Sequence, residues 1–172
     1  MNVHVILLRA VNVGGTGKLP MADLAALCET AGLQKVQTYI ASGNVVAQSR
    51  ASAAAVKRKL EAALAAYAGK PVGVIVRDAD DVARVLADNP FPHGAPNRTV
   101  AIFLDDAPPA DAIANARHVA GEAIALGRRE IYVHYGDGMA SSKLVIPAAK
   151  AGTARNLNTV AKLARMAAAR SP

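Results

Sequence analysis

Short apolar runs alternate along the chain with longer stretches in which apolar residues recur every three to four positions. Residues 3–9 (VHVILLR) are apolar, partly β-branched and too short for a typical helix, which predicts a buried strand. Residues 10–20 contain Gly14, Gly15 and Gly17 and predict a loop. Pro20 suits the first turn of a helix, where its missing N–H costs nothing. Leu24, Leu27, Cys28 and Ala31 then share one helical face, and Gly32 is a stop. Residues 34–41 (QKVQTYIA) alternate with a period of two, Ser42-Gly43-Asn44 have turn character, and Val45-Val46 begin a return strand, so a hairpin is expected. A second helix is expected over 52–68, with Val56, Leu60, Ala63, Leu64 and Tyr67 as its apolar stripe. Gly69-Lys70-Pro71 ends it, and residues 72–77 (VGVIVR) read as a fourth strand. Asp78 is placed to cap a short helix that carries Asp80 and Asp81 in its first turn, and Asn89-Pro90-Phe91-Pro92 cannot continue that helix.

The second half repeats part of this order. Residues 99–104 predict a strand, 109–119 a helix, and 122–126 with 130–135 two strands about Gly127-Arg128-Arg129. Residues 139–149 predict a weaker helix interrupted by Pro147, 153–158 a polar loop, and 159–169 a last helix. The halves match in the order of elements, not in sequence identity. The expected fold is α/β (α+β), with duplicated ferredoxin-like βαββαβ-type halves packed as one compact unit. Residues 1–88 form the first half, 89–98 the connection, and 99–172 a second, truncated half with a basic C-terminal helix. One continuous mixed sheet is the alternative.

Composition narrows the class. The chain has 172 residues, 52% hydrophobic and 19% charged, which is globular rather than disordered. No apolar run approaches the roughly 20 residues of a membrane span. The start of the chain lacks a basic region and a small-residue cleavage site, so a soluble, cytoplasmic protein with no membrane partner is expected. Cys28 is the single cysteine, which excludes an internal disulfide; on the apolar face of its helix it reads as a buried, inert thiol. The net charge is +7, and residues 138–172 carry six bases and no acid. Such a segment attracts an anionic ligand, a nucleic acid or an acidic partner, or is simply a solvated helix face.

Most named motifs fail. Gly17-Lys18 resembles the end of a nucleotide loop, but Asn12 and Leu19 occupy positions where that loop needs glycine and Ser or Thr. His4, His93, His118 and His134 show no paired-ligand spacing, so neither a metal nor another cofactor is implied. Ser42 lacks the flanking glycines of a nucleophile elbow. Aromatic residues are 3% of the chain, too few for a sheet that stacks bases.

Topology supplies a better candidate. In a βαββαβ unit, strand one ends at the same sheet edge as the turn between strands two and three. Arg9, Asn12, Lys18, Ser42, Gly43 and Asn44 then converge on one small polar or anionic ligand, and Gly14 and Gly15 let backbone N–H groups approach it. A loop and turn bonded only to each other would use the same residues. Near the other terminus, Arg155, Asn156 and Asn158 precede the last helix. Arg155, Asn158, Lys162 and Arg165 fall on one stripe if the helix starts near Asn156 or Asn158, which suggests an anion site; plain N-capping explains the asparagines equally well.

Four segments also resemble a known family. Residues 7–21 (LLRAVNVGGTGKLPM), 39–46 (YIASGNVV), 89–92 (NPFP) and 153–160 (TARNLNTV) are similar, in order, to the domain-of-unknown-function family 1697, most of all to its bacterial members. The resemblance spans nearly the whole chain and implies a compact protein with ferredoxin-like halves, but no activity, substrate or cofactor. Its small-residue and Asn signature falls on Asn12, Gly14, Gly15, Ser42, Gly43, Asn44, Arg155, Asn156 and Asn158. The family usually has an aromatic residue where Leu157 stands, which removes a stacking platform.

Three functions follow as expectations. The first is a soluble binding module for an anionic or phosphate-bearing small ligand. The second is an enzyme at the same loops, with Ser42 as nucleophile and Arg9, Lys18 or Arg155 stabilising negative charge; no histidine or acid adjoins those loops in sequence. The third is a non-specific nucleic-acid-binding protein resting on the +7 charge. The sequence sets no oligomeric state.

Overall fold

The structure, a computed structural model, describes residues 1–9 and 18–170. It divides into two compact units, one of Met1–Val82 with Leu163–Pro172 and one of Ala83–Lys162.

The first unit contains β1 (Asn2–Leu8), α1 (Met21–Thr30), β2 (Gln34–Thr38), β3 (Asn44–Ser49), α2 (Ala53–Ala68) and β4 (Val74–Asp78). The strands lie in the order β2-β3-β1-β4, and every neighbouring pair is antiparallel. Period-two alternation puts Ile6, Leu8, Val45, Ala47, Val74 and Val76 on one face, where they pack with Leu24 and Cys28 of α1 and Val56, Leu60 and Leu64 of α2. Fully burying each large aliphatic side chain stabilises by roughly 1.5–3 kcal/mol. Burial pushes the Cys28 thiol up to about 12, which makes it a core side chain rather than a nucleophile. Ser52 caps α2 by accepting from the Ala55 N–H at 3.2 Å, and Gly69 closes it with φ of 71°. Pro20 is the N-cap of α1 and not its first residue.

The end of α4 (Leu157–Ala168) belongs to the first unit. Just beyond it, the Arg170 guanidinium donates to the Lys35 carbonyl and to Gln37 Oε1 at 2.9–3.2 Å, and the Arg170 carbonyl accepts from Gln48 Nε2 at 2.9 Å. These bonds hold the irregular stretch of β2 between Gln34 and Gln37, where Lys35 has φ of 50°.

The second unit contains β5 (Thr99–Phe103), β6 (Ala123–Leu126), β7 (Glu130–His134) and β8 (Thr153–Asn156), ordered β6-β7-β5-β8 and again antiparallel throughout. The order of the first sheet is thus repeated, but without its two covering helices. Residues 109–119, expected as a helix, form turns over 110–115 followed by a β-bridge at Arg117. Ala112 is buried there while Ile113 remains 42% exposed, so the segment lacks the apolar stripe that holds a short helix. Residues 139–149, also expected as a helix, form two short 3-10 turns, Gly136–Ser141 and Pro147–Ala149, around an extended piece paired with Arg117 through Val145. The polar loop expected at 153–158 is β8 followed by the start of α4.

β8 also reveals a sequence repeat that the order of elements alone does not show. Val5 of β1 pairs with Arg77 of β4, and Ala101 of β5 pairs with Arg155 of β8. Both arginines are buried. Each precedes an Asx side chain that caps a helix: Asp78 Oδ1 accepts from the Asp81 N–H at 2.7 Å, and Asn156 Oδ1 from the Thr159 N–H at 2.9 Å. Those helices are α3 (Ala79–Ala87) and α4. The segments RDADDVARV and RNLNTVAKL therefore align residue by residue from Arg77 and Arg155.

Candidate functional site

β1 ends between two glycine-bearing turns. The Leu8 N–H donates to the Gly43 carbonyl and the Arg9 N–H to the Gly73 carbonyl, both at 2.9 Å. The expected juxtaposition of the end of β1 with the β2–β3 turn is therefore present. Gly73 leaves room for the aliphatic part of Arg9: a Cβ built there would stand 3.4 Å from the Arg9 Cβ and Cδ. The Arg9 side chain is half-buried at this rim.

The turn is organised by Asn44, which is fully buried. Its Nδ2 donates to the Tyr39 carbonyl at 2.8 Å and to Ser42 Oγ at 2.9 Å. Gly43 has φ of 89°, a conformation that favours glycine. Ile40 has φ of 51° and is 48% exposed; a β-branched residue in the left-handed region carries strain of order 1–3 kcal/mol. The turn thus holds a strained, exposed isoleucine beside a buried asparagine. Asn44→Ala is expected to cost about 1–2 kcal/mol by removing the donor shared by Tyr39 and Ser42, read as a shift in urea midpoint. A variant as stable as the wild type would show that the turn does not depend on this side chain.

The structure thus sets the end of β1 against the Ser42–Asn44 turn through Leu8, while the printed contacts of Arg9, through its N–H and its stem, are with Gly73 beside β4. Lys18 is exposed, directly before Leu19, which is buried in the core of the first unit. Asn12, Gly14 and Gly15 lie outside the described residues.

Arg155, Asn156 and Asn158 belong to the second unit. Arg155 is on β8, not on a helix, so the expected stripe of Arg155 with Asn158, Lys162 and Arg165 loses its first member. It is 7% exposed and donates through one nitrogen to Thr153 Oγ1 at 2.6 Å and to the Ala154 carbonyl at 2.9 Å. Burial pulls its guanidinium down to about 10. Asn156 caps α4, and Asn158 is exposed in the first turn of that helix. Leu157, where the aromatic residue was expected in relatives, is buried.

Two cavities were not anticipated from sequence. One, of about 440 Å³ in the first unit, is lined in part by His4, Asp78 and Asp80. The other, of about 340 Å³ in the second unit, is lined in part by His118, Glu122, Tyr135, Ser142 and Lys143. In the latter, Glu122 accepts from Ser142 Oγ and from the Ala120 N–H, both at 2.7 Å, which holds its carboxyl below the ordinary range. Burial raises the Tyr135 phenol, and the Glu122 charge adds to it. No sequence motif marks either cavity, because each gathers side chains from separate segments. Among the described residues, no group of three or more His, Cys, Asp or Glu side chains is arranged to hold a metal ion. No helix among them is long and apolar enough to cross a membrane.

Two four-stranded antiparallel sheets of identical strand order define an α+β protein with two similar, ferredoxin-like halves. The chain belongs to the family described as Protein of unknown function (DUF1697), whose model matches residues 1–132. It is similar in structure to the conserved bacterial protein SP0830 from Streptococcus pneumoniae, with a TM-score of 0.81 and 25% identity over 98% of this chain and 99% of that one. No curated protein matches the sequence.

Proposed function

We propose that the protein binds a small anionic ligand, of the phosphate-bearing class, at the rim formed by Arg9, Ser42 and Gly43, with Lys18 at the far end of the adjoining segment. The observation that carries this reading is the place of Arg9: its main chain is fixed to Gly73 and its neighbour Leu8 to Gly43, so an arginine directly follows the residue that pairs with a turn carrying the Ser42 hydroxyl and a glycine backbone. Arginine presents paired donors that match phosphate oxygens. The strained Ile40 in the same turn supports a ligand-facing role.

A nucleophilic Ser42 is less well supported. A general base must accept the hydroxyl proton, whereas Asn44 Nδ2 donates to Ser42 Oγ. A small ligand is favoured over nucleic acid because aromatic stacking groups are scarce and Arg170, one of the C-terminal bases, is engaged with β2.

A thermal-shift screen with inorganic phosphate, pyrophosphate, nucleotides and sugar phosphates tests the reading. A true ligand at about 100 times its dissociation constant stabilises the protein by about 2.7 kcal/mol. Arg9→Ala is expected to weaken that ligand at least about tenfold, the loss of one charged hydrogen bond, with each protein's stabilisation measured against its own unliganded midpoint. No stabilisation by any member of the set contradicts the proposal.

A further inference from the structure

The cavity of about 340 Å³ in the second unit draws its walls from three segments, 118–122, 135–138 and 141–143. Two ties hold the first of these to the last. Arg117 and Val145 exchange backbone hydrogen bonds at 2.8 and 2.9 Å, and Ser142 Oγ donates to Glu122 Oε2 at 2.7 Å. The Glu122 carboxylate is fixed at both oxygens, since Oε1 accepts from the Ala120 N–H, also at 2.7 Å. Those two donors keep it ionised, and each of its oxygens retains a further lone-pair site. The two serine hydroxyls have no hydrogen left to offer. That of Ser142 goes to Glu122, and that of Ser141 goes to the Gly138 carbonyl at 3.3 Å.

Tyr135 is in a different position. Its side chain packs against the core of the unit, yet its hydroxyl makes no hydrogen bond among the described residues and stays within reach of solvent. It stands close enough to Glu122 for that charge to hold on to its proton, so it is a neutral O–H donor. Among the lining groups Glu122 and Lys143 carry one charge of each sign, with His118 counted neutral, so the cavity as a whole selects neither a cation nor an anion. It offers two fixed acceptor oxygens, a phenol O–H, an aromatic ring and the small apolar side chains of Val119 and Ala120. Neighbouring hydroxyls on a saturated ring match the oxygens, and the C–H face of the same ring matches the apolar wall.

We propose that this cavity binds a single neutral sugar unit, with two neighbouring sugar hydroxyls donating to the Glu122 carboxylate and the Tyr135 hydroxyl donating to a third sugar oxygen. Hydrogen bonds to an ionised acceptor are the stronger kind, and here the acceptor is already held in place. The volume lies in the ordinary range of small-molecule sites, which combine an apolar lining with a few placed polar groups. The site shares no residue with the Arg9 rim and does not rest on the anion reading.

The test titrates the full chain, labelled with nitrogen-15, with D-glucose and with D-ribose at neutral pH. Cyclohexanol, a ring without neighbouring hydroxyls, is the control. The proposal predicts saturable NMR shifts of the Ala120, Glu122, Ser142 and Leu144 amides with at least one of the two sugars. Cyclohexanol should bind at least about tenfold more weakly, since it leaves one carboxylate oxygen unmet. Glu122→Gln, which keeps the shape and removes the charge, should weaken the sugar at least about tenfold. Tyr135→Phe, which removes only the hydroxyl and leaves the packing of the ring, should weaken it severalfold. No saturation with either sugar by about 0.1 M overturns the proposal. Equal binding of cyclohexanol overturns it as well, since the cavity would then be only an apolar hollow. So does an unchanged sugar affinity in either variant.

Discussion

Gly152→Ala is expected to destabilise the second unit by about 2–3 kcal/mol. A Cβ built at Gly152 would stand 2.5 Å from the Phe103 carbonyl oxygen, 2.8 Å from Leu104 Cδ2 and 3.1 Å from Ile102 Cγ2. Leu104 is itself buried in the core, and the carbonyl is backbone in β5, where Phe103 pairs with Thr153. Making room therefore moves β8 away from β5 along the edge that completes the sheet. The Gly152 N–H is also tied to the Ala149 carbonyl at 2.9 Å, which limits how far the glycine itself can retreat. Urea unfolding should show a lower midpoint at an unchanged slope. A midpoint within about 0.5 kcal/mol of the wild type would mean that β8 does not approach β5 this closely.

Arg155→Ala is expected to cost about 3 kcal/mol, and Arg155→Met much less. Two effects oppose each other at this position. Pulling the guanidinium down to about 10 corresponds to about 3 kcal/mol against its charged form. Its bonds to Thr153 Oγ1 and the Ala154 carbonyl, as charged hydrogen bonds, return about 1.5–3 kcal/mol each. The bonds win by a modest margin, and the alanine variant loses both them and the packing of the long stem. Methionine keeps the stem and removes the buried charge, so it should lie within about 1 kcal/mol of the wild type. Chemical denaturation of the two variants separates the contributions. Equal losses for alanine and methionine would show that the guanidinium bonds outweigh burial by more than this account allows.

Much of the first unit was legible in the sequence because its elements obey one period each. The strand at 3–9, the helix at 52–68 and its Ser52 and Gly69 caps all have local causes, and the structure contains them within a residue or two. The second unit was harder to read for the opposite reason. Residues 109–119 are rich in alanine, which propensity reads as helix, yet Ala112 is buried there while Ile113 is exposed, and propensity alone does not hold a segment of this length. Thr153–Asn156 looked like a loop because TARN has no apolar alternation; its inward side chains are Thr153 and Arg155, and burial of an arginine is set by tertiary surroundings rather than by pattern. The signal that would have found β8 was present: aligning Arg77-Asp78 with Arg155-Asn156 places it by repetition of β4.

The candidate site was legible to the same degree. Strand order alone places the end of β1 beside the Ser42–Asn44 turn, and the backbone bond from Leu8 to Gly43 realises that approach. Asn44 proved to be an internal brace, which no residue count distinguishes from a ligand contact, since both roles use the same amide group. His4 does not stand out in the sequence because it sits in an apolar run where a satisfied core histidine is the ordinary case; only the geometry around Ala51 shows one nitrogen bonded and the other not.

The most direct test of the anion-binding reading is an NMR titration of the full chain with pyrophosphate, repeated with Arg9→Ala. The account predicts saturable shifts centred on the Arg9, Ser42 and Gly43 amides, with affinity falling at least about tenfold in the variant. Shifts confined to the surface lysines and arginines of the C-terminal segment, equal in both proteins and erased by moderate salt, would contradict it.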